Sequence, residues 1–207
     1  MYSATPLFFQ ALAIGFAVAV PLGPIGLLCI ERTLRLGLMT GLATGLGVAL
    51  ADASYGALVA TGAALFAEAL SDHERTLRSL GGLALAAIGL RALLRAGQSR
   101  TVAVQARGAL FLAFASAYLL TLANPATIAS FAAIFAGLGL SRTAATPDAA
   151  AAVVAGVFLG SLLWWIVLSA AIAALRHRLP PAVVAWINRG AGTLLTAAGL
   201  WLFLAAF

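Results

Sequence analysis

The chain has no lysine, a single cysteine, two histidines and little charge of either sign: 9% of its 207 residues are Asp, Glu, Lys or Arg. Soluble domains run nearer 25% charged. With so few polar groups, water cannot cover the surface of a chain this small, which excludes a disordered segment and an ordinary soluble enzyme. The lone Cys29 excludes a disulfide framework and a C-x-x-C redox or thiolate metal site. No two His, Cys or acidic residues share an apolar helix face at ligand spacing, so no metal site is expected.

What is present is apolar. Hydrophobic residues make up 63% of the chain, and the mean hydropathy is +1.08. About 20 apolar residues cross a bilayer core as a helix, and six blocks qualify: 7–30, 37–66, 77–94, 109–140, 149–175 and 183–207. The expected fold class is an all-α polytopic membrane protein with six transmembrane helices in a single domain. Polar joints are read at 31–36, 67–76, 95–108, 141–148 and 176–182. The first ten residues carry no positive charge, so the first block reads as a permanent span and not as a cleaved signal.

The net charge of +6 comes from arginine. These residues are scattered between apolar blocks and not gathered on one face, so they mark topology and do not form a nucleic-acid surface. Arg32, Arg35, Arg91, Arg95, Arg100, Arg107, Arg176, Arg178 and Arg189 lie at the joints after blocks one, three and five. Only Arg75, Arg78 and Arg142 lie at the other two. Under the positive-inside rule both termini are expected outside the cytoplasm.

Blocks one and four are interrupted in matching places, by Pro21-Leu22-Gly23-Pro24 and by Asn124-Pro125. Each is followed by an apolar half-helix, a joint and a Gly-rich span. Setting Gly47 against Gly160 aligns Gly41 and Gly45 with Gly156 and Gly160 in a slightly shifted register, and places Asp52 opposite Trp165. With three spans per half the halves must run in opposite senses. Repeat one is read as about 7–94 and repeat two as about 109–207, joined by a cytoplasmic connector at about 95–108. Interrupted helices in corresponding positions of inverted halves point to a transporter's substrate site.

Proline removes a backbone N–H and leaves carbonyls without helical partners, a state tolerated at membrane depth only against protein or a wet cavity. The half-helix opening at Pro24 aims its positive end at such a cavity, which suits a carboxylate. Asn124 is the expected cap on the other side, with Thr127 just beyond Pro125. Asp52 lies mid-span, with no basic residue within fifteen positions. A charge at the bilayer centre costs about 2.5–3.5 kcal/mol on insertion scales. It is therefore read as a protonatable coupling group or a partner for a substrate ammonium, with Tyr55 almost one turn on. One of Trp164 and Trp165 is expected to line the cavity, Trp165 by the alignment. Gly41, Gly45, Gly156 and Gly160 are expected to let helices pack closely, and such spans also permit a homodimer.

These residues resemble the LysE/RhtB family of amino-acid exporters. The likeness is carried by Pro21-Leu22-Gly23-Pro24-Ile25-Gly26, by the run from Glu31 to Gly37, by Ala51-Asp52, by Leu120 to Pro125, and by Gly156 to Gly160 before Trp164-Trp165. It implies a bacterial inner-membrane exporter of amino acids or related zwitterions, driven by the proton gradient with no cofactor and no catalytic residues. The central site would hold Pro21, Gly23, Pro24, Asp52, Tyr55, Asn124, Pro125, Thr127 and Trp165. The sequence departs from many members at Ile25-Gly26, where Asn follows the Gly-Pro pair, and at Ala51, where Gly precedes the membrane Asp. The alternatives are an exporter of an inorganic cation from the wider superfamily and a non-transport assembly protein. An intramembrane enzyme is disfavoured, since no His lies in any span and Asp52 has no acidic partner there.

Overall fold

The computed structural model describes residues 4–20, 23–60, 74–94, 107–124, 127, 130–131, 146–176 and 178–207. Seven helices lie among them: α1 (Ala4–Ala19), α2 (Pro24–Leu36), α3 (Leu38–Ala60), α4 (Glu74–Leu94), α5 (Arg107–Leu122), α6 (Pro147–Arg176) and α7 (Pro181–Leu204).

The first block is two helices meeting at 77°. Proline at the first position of α2 suits a helix start, because its missing N–H would be unpaired there in any case. Gly23 caps α2 with extended backbone and no side-chain bond. Pro21 lies outside the described residues. The expected polar joint at 31–36 is not a joint. It is the last part of α2, and Glu31, Thr33 and Leu34 are buried in it. The Glu31–Arg35 ion pair (2.6 Å, one turn apart) neutralises the acid within the helix. The turn to α3 is instead the single residue Gly37, at φ 95°, a left-handed conformation that glycine adopts without a Cβ penalty.

Polar side chains share the interior with the apolar core. Thr33, Thr44, Asp52, Thr121, Ser161 and Ser169 are all buried, while large apolar residues such as Met39, Phe111, Leu112, Leu163 and Trp201 face outward. A soluble bundle would do the reverse. Lipid tails are as apolar as leucine, so helices associate through small residues and interhelical hydrogen bonds. Buried threonines satisfy themselves locally: Thr33, Thr44 and Thr121 each donate to the carbonyl one turn back. Trp186 and Trp201 stand exposed toward opposite ends of α7, as interface belts would place them.

The helices pair through glycine. On α6, a Cβ at Gly160 would overlap the Leu12 carbonyl and the Phe16 N–H of α1, and one at Gly156 would meet Phe8 and Ala11. On α3, a Cβ at Gly47 would meet the Phe114 carbonyl and the Tyr118 N–H of α5 in the same way. In each case one glycine sits against a carbonyl and the N–H four residues later. These contacts advance together along both chains, so α1 runs parallel to α6. Ser54–Tyr118 and Tyr55–Leu122 show that α3 runs parallel to α5. Gly45 against Trp165 and Gly56 against Val157 show that α3 is antiparallel to α6.

α4 and α7 are also antiparallel, with Gly82 against Gly199 and Gly89 against Gly192. Arg75 at the start of α4 lies 4.7 Å over the ring of Phe207, just past the end of α7. The two helices also share a sequence pattern. Gly82, Leu85, Ala87, Gly89 and Leu90 recur as Gly192, Leu195, Ala197, Gly199 and Leu200. The Gly82–Gly199 contact is therefore matched by Gly192–Gly89.

Candidate functional site

α3 is the axis of the site, and its successive turns meet different partners. Gly45 lies against the Cβ of Trp165. Val48 and Ala49 share an apolar cluster with Trp165 and with Ile25, the residue after Pro24. One turn on, Asp52 accepts a hydrogen bond from Ser161 of α6, Oγ to Oδ2 at 2.6 Å. A further turn on, Tyr55 donates to the Leu122 carbonyl at 2.6 Å and stacks on Phe131. The N-terminal end of α2 and the C-terminal end of α5 thus reach α3 on either side of Asp52.

Asp52 is buried, with 2% of its surface exposed. Among the described residues Ser161 is its hydrogen-bond partner, and no arginine pairs with it. Ser161 in turn accepts from the indole Nε1–H of Trp165, 3.2 Å away and one helical turn along α6. Trp165 is therefore the member of the tryptophan pair that reaches the acid, and it does so through the serine. Trp164 turns to the other side, edge-on to Phe16 of α1.

The second break lies at the end of α5. Asn124 donates its backbone N–H to Thr121 and accepts through its carbonyl from the Thr127 N–H, each at 3.1 Å. Pro125 lies outside the described residues. At this break Tyr55 ties the last turn of α5 to α3, because the Leu122 carbonyl sits where the ladder stops.

On the other side of Gly45, α2 is bolted to the bundle. Arg32 donates from Nη1 to the Ala113 carbonyl (2.9 Å) and Thr44 Oγ1 (3.2 Å), and from Nη2 to Ser116 Oγ (2.8 Å). A planar guanidinium can hold α2, α3 and α5 at once through such a fork. Cys29 lies beside it, buried, with Sγ 3.5 Å from Ser169 Oγ of α6.

This arrangement is a buried carboxylate between two helix breaks, in a bundle whose outside is apolar. The family comparison agrees with it: the LysE type translocator matches residues 16–206. The chain belongs to the LysE type translocator family. That membership makes it a membrane protein and suggests transport of amino acids or similar compounds. No curated protein and no solved structure shows a significant match to the chain.

Of the residues expected at a family site, Gly23, Pro24, Asp52, Tyr55, Asn124, Thr127 and Trp165 are described. Asp52 and Tyr55 lie on α3 within a turn of each other and Trp165 joins Asp52 through Ser161, whereas Gly23 and Pro24 reach the group through Ile25. Gly41, Gly45, Gly156 and Gly160 are all at helix contacts. Sequence reasoning missed Ser161 and Arg32. Ser161 had a signal, being the only hydroxyl residue from Ala149 to Leu168 and one turn from Trp165. Arg32 was read as a topology marker, and nothing in the sequence placed α5 beside it. Among the described residues no group of three His, Cys, Asp or Glu side chains could hold a metal ion.

Proposed function

We propose that this translocator is a secondary-active exporter of amino acids or related small zwitterionic metabolites, coupled to the proton gradient by alternating access. The observation that carries the reading is Asp52, a buried acid whose described partner is a hydroxyl and not a cation. An ionisable residue at this depth is costly and, by default, functional. It stands where α3 crosses α6, between the helix breaks that would present free backbone ends to a substrate carboxylate.

The helix directions support two inverted three-helix halves. α1 parallel to α6, α3 parallel to α5, α3 antiparallel to α6 and α4 antiparallel to α7 are together what a two-fold axis in the membrane plane would produce. On this reading α1 with α2 is one span, α5 opens its counterpart, and the helices amount to six spans in a bacterial inner membrane with both termini outside. Asp52 takes up a proton from the outer side while substrate leaves, and gives it up inside.

The test is transport in proteoliposomes loaded with a mixture of the common amino acids, with a proton gradient imposed and release followed by mass spectrometry. Gradient-driven release of a subset, abolished in Asp52→Asn, is the expected result. Folded protein that moves no amino acid overturns the substrate class. Undiminished, gradient-driven release by Asp52→Asn overturns the role of the acid.

A further inference from the structure

We infer that Ser161 and Trp165 are positioning residues for Asp52, forming a one-way hydrogen-bond chain from α6 that holds the carboxylate as an acceptor and sets how tightly it binds its proton. This rests on the proposed coupling role of Asp52 and deepens it.

The direction of the chain follows from the inventory of protons. An indole N–H only donates, and Trp165 directs its own at Ser161 Oγ. A serine hydroxyl has one proton. With an indole donor on its oxygen and Asp52 Oδ2 at 2.6 Å, that proton points to the carboxylate. The distance is in the range of a hydrogen bond to an ionised acceptor, which is about twice as strong as a neutral one. All three side chains are buried, so water does not compete for these groups.

Geometry holds the chain in place. Trp165 cannot swing toward α3, since its Cβ lies on Gly45 with no side chain between. Ser161 and Trp165 are one turn apart on a continuous helix, so their mutual orientation is built into α6. A proton arriving on Oδ2 must displace the serine's own proton, which then has only a backbone acceptor such as the carbonyl one turn back. A proton on Oδ1 turns the Ser161 bond from a charge-assisted one into a neutral one about half as strong. The chain thus holds Asp52 as an acceptor.

Among the described residues few other groups bear on Asp52. Described α6 has ionisable residues only at its ends, Asp148 and Arg176. α5 brings Tyr118, whose hydroxyl lies at Ser54, and Arg107 at its first residue. α2 brings Cys29, Glu31, Arg32 and Arg35, with Glu31 paired to Arg35 and Arg32 bound to α3 and α5. On α3 itself Tyr55 is committed to the Leu122 carbonyl.

The test needs no substrate. The full chain in lipid nanodiscs is titrated by infrared difference spectroscopy, following the protonated-carboxyl C=O band that Asp52→Asn removes. Ser161→Ala should bind the Asp52 proton about tenfold more tightly than wild type, the scale of one lost charge-assisted bond. Trp165→Phe, which keeps the ring and loses the N–H, should move the same way by about threefold, as a second-order contact would. Ser161→Thr should restore the wild-type midpoint. An Asp52 band whose midpoint is the same within twofold in Ser161→Ala and Trp165→Phe overturns this inference alone. If wild type shows no Asp52 band between about pH 4 and 10, where a perturbed carboxyl would titrate, the proton-coupling reading itself falls.

Discussion

Replacing Gly160 with alanine sets two effects against each other, and the structure decides the sign. Alanine is about 1 kcal/mol better than glycine in a helix interior, so α6 alone would gain. The new Cβ, however, would overlap the Leu12 carbonyl and crowd the Phe16 N–H of α1. Both neighbours are backbone and cannot rotate aside, so α1 and α6 must separate along the contact they share. Overpacking of this kind costs about 1–3 kcal/mol, and immovable neighbours put it at the upper end. The net expectation is a loss of about 1–2 kcal/mol. Gly190 of α7 is the control, because a Cβ there meets nothing within 4 Å. The same substitution at Gly190 should be neutral or stabilising by up to about 1 kcal/mol. Denaturation midpoints in mixed micelles with increasing SDS would measure both, with helicity followed by circular dichroism. A Gly160→Ala protein as stable as wild type, or a Gly190→Ala protein that loses as much, would refute the assignment of α1 to the glycine face of α6.

Two further expectations concern the polar ties around the site. Arg32→Ala should lower stability by about 2–3 kcal/mol, the scale of charge-assisted bonds that are only partly shielded from solvent, and Arg32→Lys should recover little because an ammonium cannot span the same fork; the same denaturation assay checks both. Tyr55→Phe keeps the ring on Phe131 but removes the bond to Leu122. It should cost about 1 kcal/mol and slow export in the proteoliposome assay while leaving far-ultraviolet helicity unchanged.

The sequence carried further for the ends of helices than for their joints. Pro24 marked the start of α2, and the Asn124-Pro125 pair marked where α5 stops, because a missing N–H is a local fact that no tertiary contact can supply. Gly47 and Gly160, set against each other in the sequence, each sit on a carbonyl and the N–H four residues later. The joint expected at 31–36 failed for an equally physical reason. The charged run was read as a polar joint between spans, yet Glu31 and Arg35 pair across one turn of α2 and Arg32 spends its donors on two other helices. A charge that finds its partners can stay inside.

By itself the sequence determined the environment and the punctuation: too little charge for a water-facing surface, apolar blocks of bilayer length, helix ends at Pro24 and before Asn124-Pro125, and one acid far from any base. These follow from composition and local backbone chemistry. Only the tertiary structure decided that Asp52 meets Ser161 and not Trp165 itself, that Trp165 and not Trp164 turns inward, and that Tyr55 closes on the end of α5. Helical periodicity says which residues share a face, but the rotation of each helix about its axis is fixed by what packs against it. Here that packing is set by glycines, where the backbones come closest.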